Sequence, residues 1–258
     1  MDHITLENVP AEPRPFGPLG LILSLGMIAL MASAALGASL GLVVLGESLL
    51  FGWPHLRDAI QTGLGALQNG RRADMEAFAL AAGCAVYLAV ILGVWAMARL
   101  RAGSAWRQLL GWTQFTPDLI YWGLLLASIL YQLGASLVVA YVYPPAKDWV
   151  SIPDSSSGLA IAFLMIVVLA PLAEELLFRG WLYTALRWRF GFGAALWTTA
   201  ILFAVAHWES THLYALAILP MGLVLGYVRE RTGSARASTL FHMLYNFFGL
   251  TISFVWKV

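Results

Sequence analysis

Charge is what this sequence has least of. Of its 258 residues only 11% are charged and 60% are hydrophobic, a balance that excludes an ordinary soluble domain of this length. The formal net charge of +1, with arginines and lysines scattered over chain connections rather than gathered in one patch, gives no sign of nucleic acid as a partner. One cysteine, Cys84, excludes an intrachain disulfide, and in its apolar run it reads as a small packing residue. The opening stretch MDHITLENVPAEPRPF lacks a basic region and precedes an apolar run too long for a signal-peptide core, so it reads as an uncleaved start.

What the chain has in excess is apolar runs long enough to cross a hydrocarbon layer of about 30 Å at about 1.5 Å per residue. The expected fold is all-α, a polytopic transmembrane bundle of seven to eight helices. Seven spans are read at about 17–45, 75–98, 117–142, 158–186, 193–208, 212–228 and 236–256. Within one integral membrane domain, residues 1–157 supply N-terminal helices and 158–258 the helices that carry chemistry. Between the first two spans, PHLRDAIQTGLGALQN spaces Leu56, Ile60, Leu64 and Leu67 as a helix lying on the bilayer surface, or as a loop packed on the bundle. Trp106 and Trp112 read as interfacial anchors. The pairs Gly37/Gly41 and Gly222/Gly226 offer faces on which helices can approach closely.

Arginines fall mostly on one side. Links after the second, fourth and sixth spans hold Arg99, Arg101, Arg107, Arg187, Arg189, Arg229, Arg231 and Arg236, while the opposite links offer Lys147 and Lys257. The positive-inside tendency places the arginine-bearing links in the cytoplasm. Arg57, Arg71 and Arg72, after the first span, run against that count.

Inside the fourth span stand three ionisable groups, Glu174, Glu175 and Arg179, in LAPLAEELLFRGW. An uncompensated charge at bilayer depth costs several kcal/mol, so such groups face a partner, the bundle interior or water. Glu175 and Arg179, four apart with the acid first, suit an ion pair on one helix face. Glu174 points about 100° away and lacks a local cation, which makes it the candidate base. The fifth span places Phe203 and His207 on one face, and the seventh places His242 and Asn246 on one face. If the fourth and fifth spans turn near Phe190 and Gly191, Glu174 and His207 lie equally far from the turn, with His242 and Asn246 slightly shallower. The four groups then line one cavity open toward the arginine-rich side. Pro171, one turn before Glu174, removes a backbone donor and frees a carbonyl or kinks the helix there. Each group also has a plain structural reading: a buried ion network, a core histidine on a carbonyl, a polar clamp between helices.

Read as E-E-x-x-x-R, F-x-x-x-H and H-x-x-x-N, these residues resemble the three motifs of the CAAX protease and bacteriocin-processing (CPBP, or ABI) family of intramembrane proteases, which includes the type II CAAX prenyl endopeptidases. The resemblance covers roughly residues 158–250. It implies peptide-bond hydrolysis within the membrane, with Glu174 as general base, His207 assisting, His242 and Asn246 stabilising the oxyanion, and Glu175, Arg179 and Phe203 supporting the site. It also implies lipid and a membrane-anchored peptide, prenylated or not, as partners, and a multi-pass protein of a bacterial inner membrane whose site opens to the cytoplasm. The preferred reading needs no cofactor. Zinc on Glu174, His207 and His242 is the alternative, although no H-E-x-x-H helix is present. Two other functions fit intramembrane carboxylates and imidazoles: a proton-coupled transporter, and a non-catalytic immunity or partner-binding protein of the same fold.

Overall fold

A chain with so little charge satisfies its backbone in lipid by closing every hydrogen bond within helices. The structure, a computed structural model, describes residues 17–51, 72–142, 156–208 and 213–256, and among these no strand occurs. Six helical runs carry the architecture: α1 (Pro18–Phe51), α2 (Arg72–Ala102), α3 (Leu119–Val142), α4 (residues 156–206), α5 (Leu213–Thr232) and α6 (Ala235–Trp256). The surface helix expected within 52–71 lies outside the described residues.

Among the described residues six helical runs stand where seven to eight helices are expected, and the fourth and fifth expected spans are the two arms of α4, which meet at Gly191, where the sequence places their turn. There φ is 84° and ψ −178°, a backbone state in the region where a side chain would be strained. Among the described residues four stretches are long and apolar enough to cross a membrane: Pro18–Ala38, Ala82–Leu109, Leu119–Val138 and Gly158–Ala206.

Two apolar cores flank α4. One gathers Tyr121 and Leu125 of α3, Phe203 of α4, Met221 and Leu225 of α5, and Phe241 and Tyr245 of α6. The other joins Ile28 of α1, Val94 and Ala98 of α2, and Leu176 and Trp181 of α4. Trp181 also donates its indole N–H to the Ser24 hydroxyl at 3.0 Å, fastening α1 to α4. The first arm of α4 thus runs along the seam between two packed halves.

Close packing at Gly222 and Gly226 follows the expectation from sequence. A Cβ on Gly222 would lie 3.1 Å from the Ala200 Cα and 3.2 Å from its carbonyl oxygen, and one on Gly226 would lie 2.7 Å from a Leu196 methyl. Gly37, by contrast, faces open space. Trp106 and Trp112 are half-buried against the second core, with the guanidinium groups of Arg107 and Arg236 over their rings at 5.2 and 5.5 Å.

The arginine-bearing ends meet at one end of the bundle. Arg187 makes a two-pronged bond to Glu230, which also accepts from the Tyr183 hydroxyl at 2.6 Å. The Arg187 bond, helped by Tyr183, holds the Glu230 carboxyl below the usual range. Arg231 pairs with Asp118, and the loop after Trp112 docks on the turn before α6 through Ser234 Oγ to the Thr113 carbonyl at 2.6 Å.

Candidate active site

Glu174 and Glu175 sit at the end of the α-helical segment Ala170–Glu175, which is held between two π-helical turns, Leu164–Leu169 and Leu176–Leu182. A π turn bonds i to i+5, widens the helix and changes which faces successive side chains occupy, and such turns recur at functional sites. Pro171 explains a further feature. In the π register set by the Ala170 N–H bonding the Met165 carbonyl, the Ile166 carbonyl would accept from residue 171, and proline has no N–H to give. The Asn246 amide supplies the missing donor, its Nδ2 lying 2.9 Å from that carbonyl. Asn246 thus ties α6 to the widened turn just before the two carboxylates.

The adjacent glutamates have separate environments. Glu175 is fully buried and bonds the equally buried Arg179 at 2.9 Å across one helical turn. Arg179 spends its other terminal nitrogen on the Gly222 carbonyl at 2.9 Å and rests its guanidinium carbon 4.6 Å over the Phe203 ring. The Glu174 side chain keeps 15% of its surface exposed, so it is the carboxylate that a water or substrate can reach.

His242 stands between the two acids. Its Nδ1 lies 3.2 Å from Glu175 Oε1 and its Nε2 lies 4.0 Å from Glu174 Oε2. Because Glu175 is paired with Arg179 as a carboxylate, it accepts, and His242 Nδ1 carries the proton. The Nε2 atom is thereby turned to Glu174.

His207 caps the second arm of α4, its Nδ1–H donating to the Phe203 carbonyl at 2.8 Å. A carbonyl only accepts, so His207 Nε2 is the nitrogen left for chemistry. The Phe203 ring touches both histidines, centroid to centroid 4.6 Å from His207 and 5.7 Å from His242, and so serves as the wall that spaces them. Tyr214 of α5 comes within 5.9 Å of the His207 ring.

The spacing of Glu175 and Arg179 and the grouping of His242 with the acidic pair are as the sequence suggests. Two relations lie beyond what the sequence offers: Asn246 has one N–H engaged by the Ile166 carbonyl, and the acid closest to His242 is Glu175. Sequence reasoning missed Tyr87 of α2, whose hydroxyl lies 3.3 Å from Glu174 Oε1. A tyrosine inside an otherwise apolar run was the signal available for it. Among the described residues no three His, Cys, Asp or Glu side chains converge as a metal-ligand set.

Several apolar helices fit a multi-pass membrane protein, and Glu175, Arg179 and His242 are buried inside the bundle. Residues 156–248, which contain every motif position, match the sequence profile of the family described as type II CAAX prenyl endopeptidase Rce1-like. A curated protein of Escherichia coli, described as an uncharacterized 24.3 kDa protein, is 36% identical over 105 residues, which is 39% of this chain and 46% of that protein. The chain thus spans about half the length of the curated relative it matches. No solved structure matches.

Proposed function

We propose that the protein is an intramembrane endopeptidase that hydrolyses a peptide bond in a membrane-anchored substrate, of the prenylated CAAX type named for the matched family. The observation that carries this reading is the 4.0 Å between Glu174 Oε2 and His242 Nε2, brought together from two helices. That gap exceeds a hydrogen bond and suits one water held by both groups.

In the first step the water oxygen bonds the substrate carbonyl carbon while its proton passes to Glu174. The carbonyl becomes an oxyanion, stabilised by the second N–H of Asn246 together with His242. Glu174 then returns the proton to the departing nitrogen, the C–N bond breaks, and a carboxylic acid and an amine leave. His207 assists through Nε2. Glu175 and Arg179 act by position: one fixes the His242 ring, the other neutralises Glu175 and braces it against Gly222 and Phe203. The scheme uses only water and these side chains; zinc held by Glu174, His207 and His242 would instead supply a Lewis acid at the same place, and a chelator separates the two. We place the arginine-rich end in the cytoplasm of a bacterial cell by the positive-inside tendency.

The test is cleavage of a fluorescent prenylated peptide by the purified protein in liposomes. The wild type is expected to cleave it with or without a strong chelator, and Glu174→Ala and His207→Ala to lose about a hundredfold or more. Full turnover in Glu174→Ala would refute the assigned base, and loss of wild-type cleavage on chelation would refute the metal-free scheme. Proton flux through Glu174 without peptide cleavage would mark a carrier instead.

A further inference from the structure

Everything the motifs assign lies within residues 156–248, yet one polar contact to the proposed base comes from outside that segment. Tyr87 belongs to α2, and its hydroxyl reaches Glu174 Oε1 at 3.3 Å. A glutamate carboxylate turns easily, because its terminal torsion is broad and nearly two-fold. With no partner on Oε1, either oxygen could face His242, and the acid would spend time turned away. The Tyr87 hydroxyl can donate and Glu174 accept, so that bond holds Oε1 on the α2 side and leaves Oε2 toward His242 Nε2.

The approach of α2 is itself built into the sequence. Gly83 precedes Tyr87 by about one helical turn, on the same face. A Cβ at Gly83 would lie 2.6 Å from Met165 Sδ, so the bare glycine makes room on α2 for the Met165 side chain of the π turn Leu164–Leu169 that leads to the acidic pair.

We infer that Tyr87 is a positioning residue for Glu174, supplied by an N-terminal helix that the family motifs do not reach, and that the proposed site is incomplete without that helix. The inference rests on the proposed hydrolytic role of Glu174 for its kinetic consequence, and on geometry alone for the contact.

The test uses full-length Tyr87→Phe, which keeps the ring and removes only the hydroxyl. Its kcat is expected to fall about tenfold, the scale of one hydrogen bond to a charged group, with KM within about twofold of wild type. The thermal midpoint is expected to stay at the wild-type value. In infrared spectra, the carboxylate band that vanishes in Glu174→Gln is expected to shift in Tyr87→Phe. A wild-type kcat, or an unshifted band, overturns the inference. If the wild type cleaves no peptide, the proposed function fails while the band still decides whether Tyr87 holds Glu174.

Discussion

The His242 imidazole is held by the second acid of the Glu-Glu pair: its Nδ1 lies 3.2 Å from Glu175 and its other nitrogen 4.0 Å from Glu174. Two neighbouring carboxylates are thereby divided, one structural and one open to reaction. Replacing each by its amide separates the roles. Glu175→Gln leaves Arg179 as a buried unpaired charge and is expected to destabilise the protein by about 3–5 kcal/mol. Glu174→Gln, at a partly exposed position with no cation to strand, is expected to change stability by less than about 1 kcal/mol while abolishing peptide cleavage. Unfolding in mixed detergent micelles, read beside turnover, checks both. Equal stability losses in the two variants would contradict the division.

Gly222 combines two duties, close packing on the Ala200 backbone and a carbonyl that accepts from Arg179 at 2.9 Å. A Cβ there meets Cα, carbonyl and Cβ atoms of a rigid helix at 3.1–3.3 Å, which cannot move aside as a flexible side chain would. Gly222→Ala is therefore expected to cost about 1–3 kcal/mol. Gly37→Ala meets nothing within 4 Å and is expected to be neutral or slightly stabilising in the same unfolding assay.

These positions show how far a sequence can be read. Pairs on one helix, such as Glu175 with Arg179, follow from spacing alone, because 3.6 residues per turn fixes which side chains are neighbours. Pairs between helices do not. That Tyr87 reaches Glu174, and that His242 faces Glu175 before Glu174, depends on the two π turns, which rotate the acidic pair relative to an ideal helix. The turn between the fourth and fifth spans is legible, because the apolar runs pause around Gly191, and the structure places there one residue with positive φ that breaks α4 into its two arms.

Just before the apolar stretch Leu119–Val138, the exposed Asp118 offers a pH test. Its Oδ1 accepts the Tyr121 N–H at 2.9 Å, capping α3, and its Oδ2 pairs with Arg231. The Tyr121 N–H first and the Arg231 guanidinium second hold the Asp118 carboxyl below its ordinary value of 3.8. A depressed carboxyl contributes stability that is present above the unfolded-state value and is lost as pH falls through the folded-state value. The difference in stability between wild type and Asp118→Asn is thus expected to be constant from neutral pH to about 5 and to shrink below about 4. Hydrogen exchange of the Tyr121 amide across that range measures it. A difference that instead faded between pH 8 and 6 would show that another group is responsible.

The bond from Asn246 to the Ile166 carbonyl predicts a compensation that few arrangements would give. Asn246→Leu removes the donor and leaves a buried carbonyl unpaired, at an expected cost of about 1–3 kcal/mol. Pro171→Ala restores a backbone N–H at the position that the π register directs to the same carbonyl. In the double variant the backbone donor replaces the side-chain donor, so the two changes are expected to be non-additive, with a coupling of about 1 kcal/mol in the stabilising direction. Cleavage gives the complementary reading. If Asn246 also contributes an N–H to the oxyanion, the double variant regains stability but not turnover, and kcat stays about a hundredfold below that of Pro171→Ala alone. Recovery of both together would show that Asn246 serves only to seat α6 on the widened turn.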